Sequence, residues 1–259
     1  MVQKIDLALQ SYSPEVELSL SERELRIQLA AAYRLIDKFQ MSDLIYTHIS
    51  VRLPGPENHF LINPYGLLFR EVTASSLVKV DLDGNIVGES EWPVNPAGFV
   101  IHSAIHSARE DLFCVVHTHT RYGMAVSALE CGLLPISQFA LQFYNRVAYH
   151  DYEGVSLDLD ERSRLVNDLG DKKVMIMRNH GLLTAGRTIP EAFSLMFYLN
   201  RSCEVQITAQ SSGAPLIIPS PDVCEHSAAQ QNIDDVNFGQ LEWSALIRML
   251  DREDSSYRH

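Results

Sequence analysis

The sequence predicts an α/β protein in which helices cover a mixed β-sheet. Segments typical of strands are separated by single segments with helical periodicity. Several turn signals between strands indicate hairpins, which an all-parallel sheet lacks. No GxGxxG or GxxxxGK[ST] sequence is present, so nothing supports a nucleotide-phosphate loop or a doubly wound parallel sheet.

The first predicted helix begins with a capping box. Ser21 and Glu24 can reciprocally satisfy free amides at a helix start, and apolar residues follow at steps of three and four to near Gln40. The next segment, THISVRL, alternates apolar and polar side chains, which is typical of a half-buried strand. A strand is expected at Phe60–Ile62. VKVDLDGNIV is expected to form a hairpin that turns at its Asp-Gly pair.

The second half of the chain continues the alternation of helices and strands. Asn95 and Pro96 provide a capping amide and a proline at the first helical position, so a helix is expected from there to about Glu110. The further expected elements are a strand in FCVVHTH, a short helix between Arg121 and Gly132, a strand at Val147–His150, a helix around Glu161–Leu169, an apolar strand at Val174–Met177 and a long helix from Pro190 to about Gln210.

No Pro/Gly/Ser-rich linker divides the chain, which predicts a single domain over residues 21–210. Residues 1–20 have no clear period and are expected to form a loose arm. Gly and Pro accumulate after Ser211, so residues 211–259 are interpreted as an extended C-terminal segment with a short helix near Leu241–Leu250.

Composition excludes several classes of function. The net charge is -12, from 21 basic and 33 acidic residues, and the chain has no block of Lys or Arg, so a nucleic-acid partner is not expected. No signal peptide or membrane-spanning apolar run is present, and the four cysteines have no CxxC spacing. The expected location is the cytoplasm, with reduced thiols.

Three histidines form the main functional candidate. His117 and His119 lie two positions apart at the end of a predicted strand, so both side chains leave the same face of the sheet. His180 follows the most apolar strand, where open α/β sheets place their ligands. Imidazoles brought together in this way are typical of divalent-metal sites. A pair of surface histidines and a turn histidine are the alternative.

The chain resembles the class II aldolase/adducin family. The resemblance rests on VVHTHTRYGMAVSAL, MRNHGLLTAG, THISVR and INPYGLL and covers roughly residues 20–210. It implies a three-layer α/β/α sandwich with a mainly antiparallel sheet and a tetramer with sites between subunits. It also implies that His117, His119 and His180 bind Zn²⁺, or another divalent ion such as Mn²⁺, Co²⁺ or Fe²⁺.

The chain departs from the aldolase branch of that family at the acid/base. A Ser-Ser-Glu sequence there opens the helix before the HxH strand, and the glutamate is a fourth metal ligand. Here the stretch reads Pro96-Ala97-Gly98, so a residue without a side chain stands at the glutamate position. Proton abstraction needs a positioned base, and the usual one is missing.

The positions that would contact a phosphate also differ. Thr47-His48 replaces a Gly-Asn pair and Tyr65 precedes Gly66 in the following turn, so a sugar-phosphate substrate does not fit well. The substrate-binding positions that the resemblance implies are His48, Tyr65, Gly66 and Gly98. His48 could be a ligand contact or a histidine on the face of a strand.

Other candidates are weaker. Tyr149, His150 and Tyr152 lie near the place of a catalytic tyrosine in the family, although an ordinary loop role is the alternative. Glu153 and Glu204 could replace the missing base only if the fold brought them near. On the predicted Asn95–Glu110 helix, histidines at 102 and 106 lie one turn apart, where helix packing is favoured over metal binding.

Two hypotheses follow from different classes of protein. The first is a metal-dependent lyase or isomerase acting on a small hydroxy-carbonyl or keto-acid substrate. The second is a non-catalytic, adducin-head-like assembly domain with a vestigial metal site, which the similarity of NPYGLL, PAGFVIHSAIHSARED and CGLLPIS to adducin indicates. The chain ends in DREDSSYRH rather than in a Lys-rich tail of the adducin kind.

Overall fold

The computed structural model describes residues 20–155, 160–231, 233–235 and 237–259. Its helices are α1 (Glu22–Lys38), α2 (Pro96–Ala108), α3 (Arg121–Ser127), α4 (Gln138–Leu141), α5 (Glu161–Leu169), α6 (Ile189–Gln210), α7 (Pro221–Gln231) and α8 (Gln240–Glu253). Its strands are β1 (His48–Arg52), β2 (Phe60–Ile62), β3 (Val78–Val80), β4 (Cys114–Thr118), β5 (Val147–His150), β6 (Val174–Met177) and β7 (Gly181–Gly186).

The seven strands form one mixed sheet in the order β3-β2-β1-β4-β7-β6-β5. Neighbouring strands are antiparallel except β5 and β6, which are parallel. Because successive side chains of a strand point to opposite faces, Val116 packs in the cluster that contains residues of α1 and α6. Its neighbour Val115 packs in the cluster that contains residues of α2 and α5. The result is the predicted α/β/α sandwich.

Local chemistry places the ends of several helices. Ser21 and Glu24 form the capping box of α1, and the side chain of Asn95 caps α2 ahead of its first-turn proline. The predicted turn at Gly84, whose φ is +92°, is present, but only one isolated bridge, between Val80 and Ile86, follows it. The second arm of that hairpin is therefore much shorter than expected.

Two expectations from the sequence are wrong. Strand β1 is buried on both faces because α2 covers its polar side, so it is not half-buried. Residues 211–239, expected to be extended, contain α7. That helix has only Cys224 and Ala228 as buried residues, too few to give a visible apolar stripe. The arm expected over residues 1–20 lies outside the described residues except for Leu20.

Within the described ranges, no helix has the length and apolar character that crossing a lipid bilayer requires.

Candidate metal centre

Three imidazoles come together where β4 ends and where β6 turns into β7. His117 is the fourth residue of β4, and His119 follows that strand just before Thr120, whose side chain caps α3. His180 stands in the turn between β6 and β7, after Asn179 with φ of +55°. One ring nitrogen from each of the three histidines lies within 4.8 Å of the others. The fold therefore brings together three side chains that could hold a single cation.

Gly181 is needed for this convergence. A β-carbon at Gly181 would lie 2.5 Å from the carbonyl oxygen of Thr118 and 3.1 Å from Cδ2 of His119. The absence of a side chain lets the start of β7 approach the end of β4, and His180 immediately precedes that contact. This close approach explains why a glycine follows Asn179 and His180 in the sequence.

The second nitrogen of two of these rings has a fixed role. Nδ1 of His117 donates to the carbonyl oxygen of Leu182 at 3.0 Å, since a carbonyl can only accept. Nδ1 of His119 lies 3.0 Å from Oδ2 of Asp43 and donates to that carboxylate. In neutral rings with Nδ1 protonated, Nε2 carries a lone pair. The two Nε2 atoms face each other at 2.9 Å.

Burial favours the uncharged form of two of these histidines. Burial, reinforced by nearby His180 and His48, holds the pKa of His117 well below its ordinary value. Burial, and then His119, lowers the pKa of His180 to about 4. Neutral imidazole is the form that binds a metal ion, and it is the form favoured for His117 and His180 at neutral pH.

Asp43 is the member of the site that the sequence did not indicate. It lies in the loop after α1, 76 positions before His119, and its side chain is 42% exposed. A carboxylate that accepts from the outer nitrogen of a metal-binding histidine fixes the orientation of the ring and raises its basicity. No local pattern in the sequence marks a contact over that separation.

His48 fills the space beside Gly98. A β-carbon at Gly98 would lie 2.6 Å from Cδ2 of the His48 ring, so a side chain at 98 and this ring exclude each other. The register of β1 against β4 pairs His48 with His117, and the two rings stack with their centroids 4.9 Å apart. Nδ1 of His48 lies 2.7 Å from Nε2 of His102.

The histidines of α2 continue this contact into the core. His102 also bonds Ser50, and Oγ of Ser50 lies 2.7 Å from Nε2 of His106. All four side chains are buried. Burial is the main cause that lowers the pKa of each of the three histidines. His102 and His106 are thus partners of β1, which agrees with the packing role expected for them.

The three histidines line a cavity of about 510 Å³. Its further polar lining residues include Asp43, Tyr46, His48, Tyr65, Tyr152 and Asn179. Pro96, Ala97, Ile101, Met124 and Val155 contribute apolar surface. Among the described lining residues there is no Lys or Arg. The wall thus combines aromatic, apolar and neutral polar groups with one carboxylate.

The remaining candidates are distributed over several places. Tyr152 is exposed and its ring centroid lies 6.3 Å from that of His180. The hydroxyl of Tyr149 instead accepts from the amide of Leu133, and this side chain lines a different cavity. His150 is buried between Asp168 and Glu161.

Other positions also lie apart from the three-histidine site. The backbone of Gly66 has φ of +124° and lies against Trp92. Each of the two glutamates considered as a replacement base is paired with an arginine: Glu153 with Arg164 and Glu204 with Arg201.

Solved structures share this architecture. An aldolase II superfamily protein from Pseudomonas syringae superimposes with a TM-score of 0.87 at 52% identity, over 95% of this chain and 100% of that one. L-fuculose 1-phosphate aldolase from Glaciozyma antarctica superimposes with a TM-score of 0.82 at 30% identity, over 93% and 94% of the two chains. Sheet, helical layers and histidine cluster together define a protein with the class II aldolase fold.

Sequence comparison identifies the family. Residues 27–207 match the family model described as the Class II Aldolase and Adducin N-terminal domain. A Caulobacter vibrioides protein, provisionally named a class 2 aldolase, is 47% identical over 97% of this chain and 98% of its own length. Rat alpha-adducin is 45% identical over 92% of this chain, which spans only 34% of that protein. The chain belongs to the class II aldolase and adducin N-terminal domain family.

Proposed function

We propose that this protein binds a divalent metal ion, Zn²⁺ or a similar ion such as Mn²⁺, Co²⁺ or Fe²⁺, through His117, His119 and His180. The observation that carries the proposal is the 2.9 Å approach of two Nε2 atoms whose rings both donate through Nδ1. Two lone pairs at that distance repel unless a cation lies between them. Burial disfavours a protonated His117 ring, which leaves the lone pair of its Nε2 for a metal ion.

The donor set fits an open metal centre. Three imidazoles from the protein leave a coordination position for an exogenous ligand, as in catalytic zinc sites. A bound divalent ion supplies Lewis-acid polarisation of a carbonyl or hydroxyl oxygen. The residues of the cavity wall bind and orient the substrate, and Asp43 holds His119 in place.

The function that these features support best is a lyase-type reaction on a small hydroxy-carbonyl or keto-acid substrate. The 510 Å³ cavity accommodates a small molecule, and the absence of Lys and Arg from its described lining disfavours a sugar phosphate. His48 occupies the place beside Gly98, so no carboxylate stands there. Loss of CO₂ from a β-keto acid needs no base to remove a carbon-bound proton, and it suits such a site.

A second candidate function rests on the glycine at position 98, where the aldolases of the family have their acid/base glutamate. A cavity whose position 98 cannot carry an acid/base is also compatible with a non-catalytic assembly domain, and alpha-adducin is similar over most of this chain. In that case the histidine cluster has a structural role only.

We further infer that the protein acts in the cytoplasm as a homo-oligomer, for which a tetramer is the expectation. Light scattering of the purified protein tests this assembly.

Metal analysis tests the proposed metal centre. Purified protein is dialysed against Zn²⁺ and then analysed by mass spectrometry of the elements. We expect about one ion per chain for wild type and none for the His117→Ala/His119→Ala variant. His226→Ala/His259→Ala is the matched control, because both of its histidines are exposed. Equal metal content in wild type and the site variant would remove the proposal.

Turnover is measured on the same preparations. The metal-loaded protein is incubated with small hydroxy-aldehydes, for retro-aldol cleavage, and with β-keto acids, for decarboxylation. Product formation that requires His117 and His119 supports the lyase. Bound metal without turnover of either substrate class supports the assembly domain.

A further inference from the structure

His48 lines the cavity and uses one of its two ring nitrogens to anchor itself. Nδ1 is bound to His102, and the ring belongs to the cavity wall although the residue is only 2% exposed. Among the described residues, Nε2 of His48 has no hydrogen-bond partner. Because the ring lines the same cavity and stacks on His117, Nε2 is the nitrogen that remains available to a ligand at the three histidines.

Three contacts hold the ring in that orientation. The His117 ring stacks on the His48 ring. The His48 ring also fills the space that a side chain at position 98 would need. His102 crosses nearly perpendicular to His48, with the centroids 4.8 Å apart. A ring fixed on several sides presents its nitrogen with little loss of conformational entropy when a ligand binds.

The direction of the hydrogen bond between His48 and His102 decides whether Nε2 of His48 donates or accepts. Neutral imidazole carries one hydrogen, so if His48 donates through Nδ1, its Nε2 accepts from a ligand. If His102 donates to Nδ1 instead, Nε2 of His48 carries the hydrogen and donates. Ser50 lies between two histidines, and its hydroxyl can donate to one ring while it accepts from the other. The role needs hydrogen-bonding capacity alone and no change of charge.

We propose that His48 is a specificity-determining residue whose Nε2 binds an oxygen atom of a small α-hydroxy acid or hydroxy-carbonyl ligand, while another oxygen of that ligand occupies the metal centre. This inference rests on the proposed metal centre. It assigns the ligand class as a compact molecule with two oxygen atoms on adjacent carbons. Such a molecule places one oxygen at the three histidines and the second against the His48 ring that stacks on His117.

The cavity wall agrees with this ligand class. Tyr65, Pro96 and Ile101 enclose the space around His48 with largely apolar surface, which favours a small uncharged or singly charged molecule over a phosphate ester. A neutral hydrogen-bonding ring distinguishes a hydroxyl from a hydrogen atom, because the analogue that lacks the hydroxyl leaves the buried nitrogen unpaired.

Titration calorimetry with two probes tests the assignment. Glycolate and acetate differ by one hydroxyl, and each is titrated into Zn²⁺-loaded wild type and into His48→Phe. We expect the preference for glycolate to fall by about threefold to tenfold in His48→Phe, the equivalent of one hydrogen bond. His48→Gln, which keeps a hydrogen-bonding group, should retain part of the preference. The affinity for Zn²⁺ itself should change little, because His48 is hydrogen-bonded to His102 and to none of the three proposed ligands.

The outcomes separate this proposal from the metal centre. An unchanged glycolate preference in a variant that still binds Zn²⁺ overturns the role of His48 and leaves the metal centre intact. Failure of wild type to take up Zn²⁺ overturns both proposals before any probe is added. If His48→Phe does not fold, ¹⁵N spectra of the wild-type histidines decide, with the His48 resonance assigned by its loss in His48→Gln. A shift of the His48 Nε2 resonance with glycolate but not with acetate supports the proposal, and equal spectra refute it.

Discussion

Oδ2 of Asp43 accepts a hydrogen bond from Nδ1 of His119 at 3.0 Å, although the two residues are 76 positions apart. The loop after α1 thus supports the end of β4. This contact determines which nitrogen of His119 faces the cavity, and it therefore couples the loop after the first helix to the proposed metal centre.

Replacing Asp43 by Asn should weaken metal binding without unfolding the protein. The Asn amide can still accept a hydrogen bond, but it is less basic than a carboxylate. It therefore raises the basicity of His119 less, which makes His119 a poorer metal ligand. We expect the affinity for Zn²⁺ to fall by about tenfold to a hundredfold, measured by competition with a chromophoric chelator. Asp222→Asn, on the exposed start of α7, is the control. Equal affinities for the two variants would show that Asp43 does not support the site.

A side chain at position 98 should destabilise the protein because His48 occupies its space. Gly98→Ala ordinarily favours a helix by about 1 kcal/mol, yet the contact with His48 predicts a net cost of about 1–3 kcal/mol from overpacking. Urea unfolding of the two single variants and of Gly98→Ala/His48→Ala measures the coupling. In the absence of the ring, the cost at position 98 should vanish or reverse. Additive costs would contradict the mutual exclusion of Gly98 and His48.

Features set by local chemistry were predicted well from the sequence. The capping box at Ser21 and Glu24 and the Asn-Pro start of α2 satisfy amides within their own helix turn, so a few neighbouring residues contain the required information. The sequence also indicates the three histidines that the fold brings together. They lie at or just after the ends of strands of strong apolar character, and strand ends are where a sheet gathers functional groups.

Features that depend on distant contacts were missed. The polar face of β1 was interpreted as exposed, whereas His102, 54 positions from His48, covers it. A histidine on a strand and a histidine on a helix each look solvent-exposed in isolation, and their pairing follows only from the packing of α2 on the sheet. Asp43 escaped notice for the same reason.

The two tyrosines considered as catalytic candidates should respond differently to loss of the hydroxyl. Tyr149→Phe leaves the amide of Leu133 without its acceptor, so we expect a loss of about 1–2 kcal/mol in the free energy of unfolding and unchanged affinity for Zn²⁺. Tyr152→Phe removes an exposed hydroxyl of the cavity wall. Its free energy of unfolding should change by less than about 0.5 kcal/mol, while binding of glycolate to the metal-loaded protein weakens.

Urea unfolding and calorimetry on both tyrosine variants distinguish these expectations. A loss of glycolate binding in Tyr149→Phe with intact stability would reverse the assignment of the two side chains. Tyr144→Phe is the matched control, since the side chain of Tyr144 lies in the cavity that Tyr149 also lines.

Acid should destabilise the metal-free protein through its buried histidines, and His106 isolates one of them. Burial, and then the charge of Arg52, lowers the pKa of His106 to about 3, whereas an unfolded chain keeps a value near ~6.5. Between these two values the unfolded state binds a proton that the folded state does not. Stability is therefore retained above pH ~6.5 and falls as the pH approaches 3, by about 1.4 kcal/mol per pH unit.

His106→Gln should lower the slope of the free energy of unfolding against pH by that amount, measured by urea titrations with chelator present. His226→Gln, at an exposed position, should leave the slope unchanged. Parallel slopes for wild type and His106→Gln would mean that the folded protein accepts the proton at His106 as readily as the unfolded chain does.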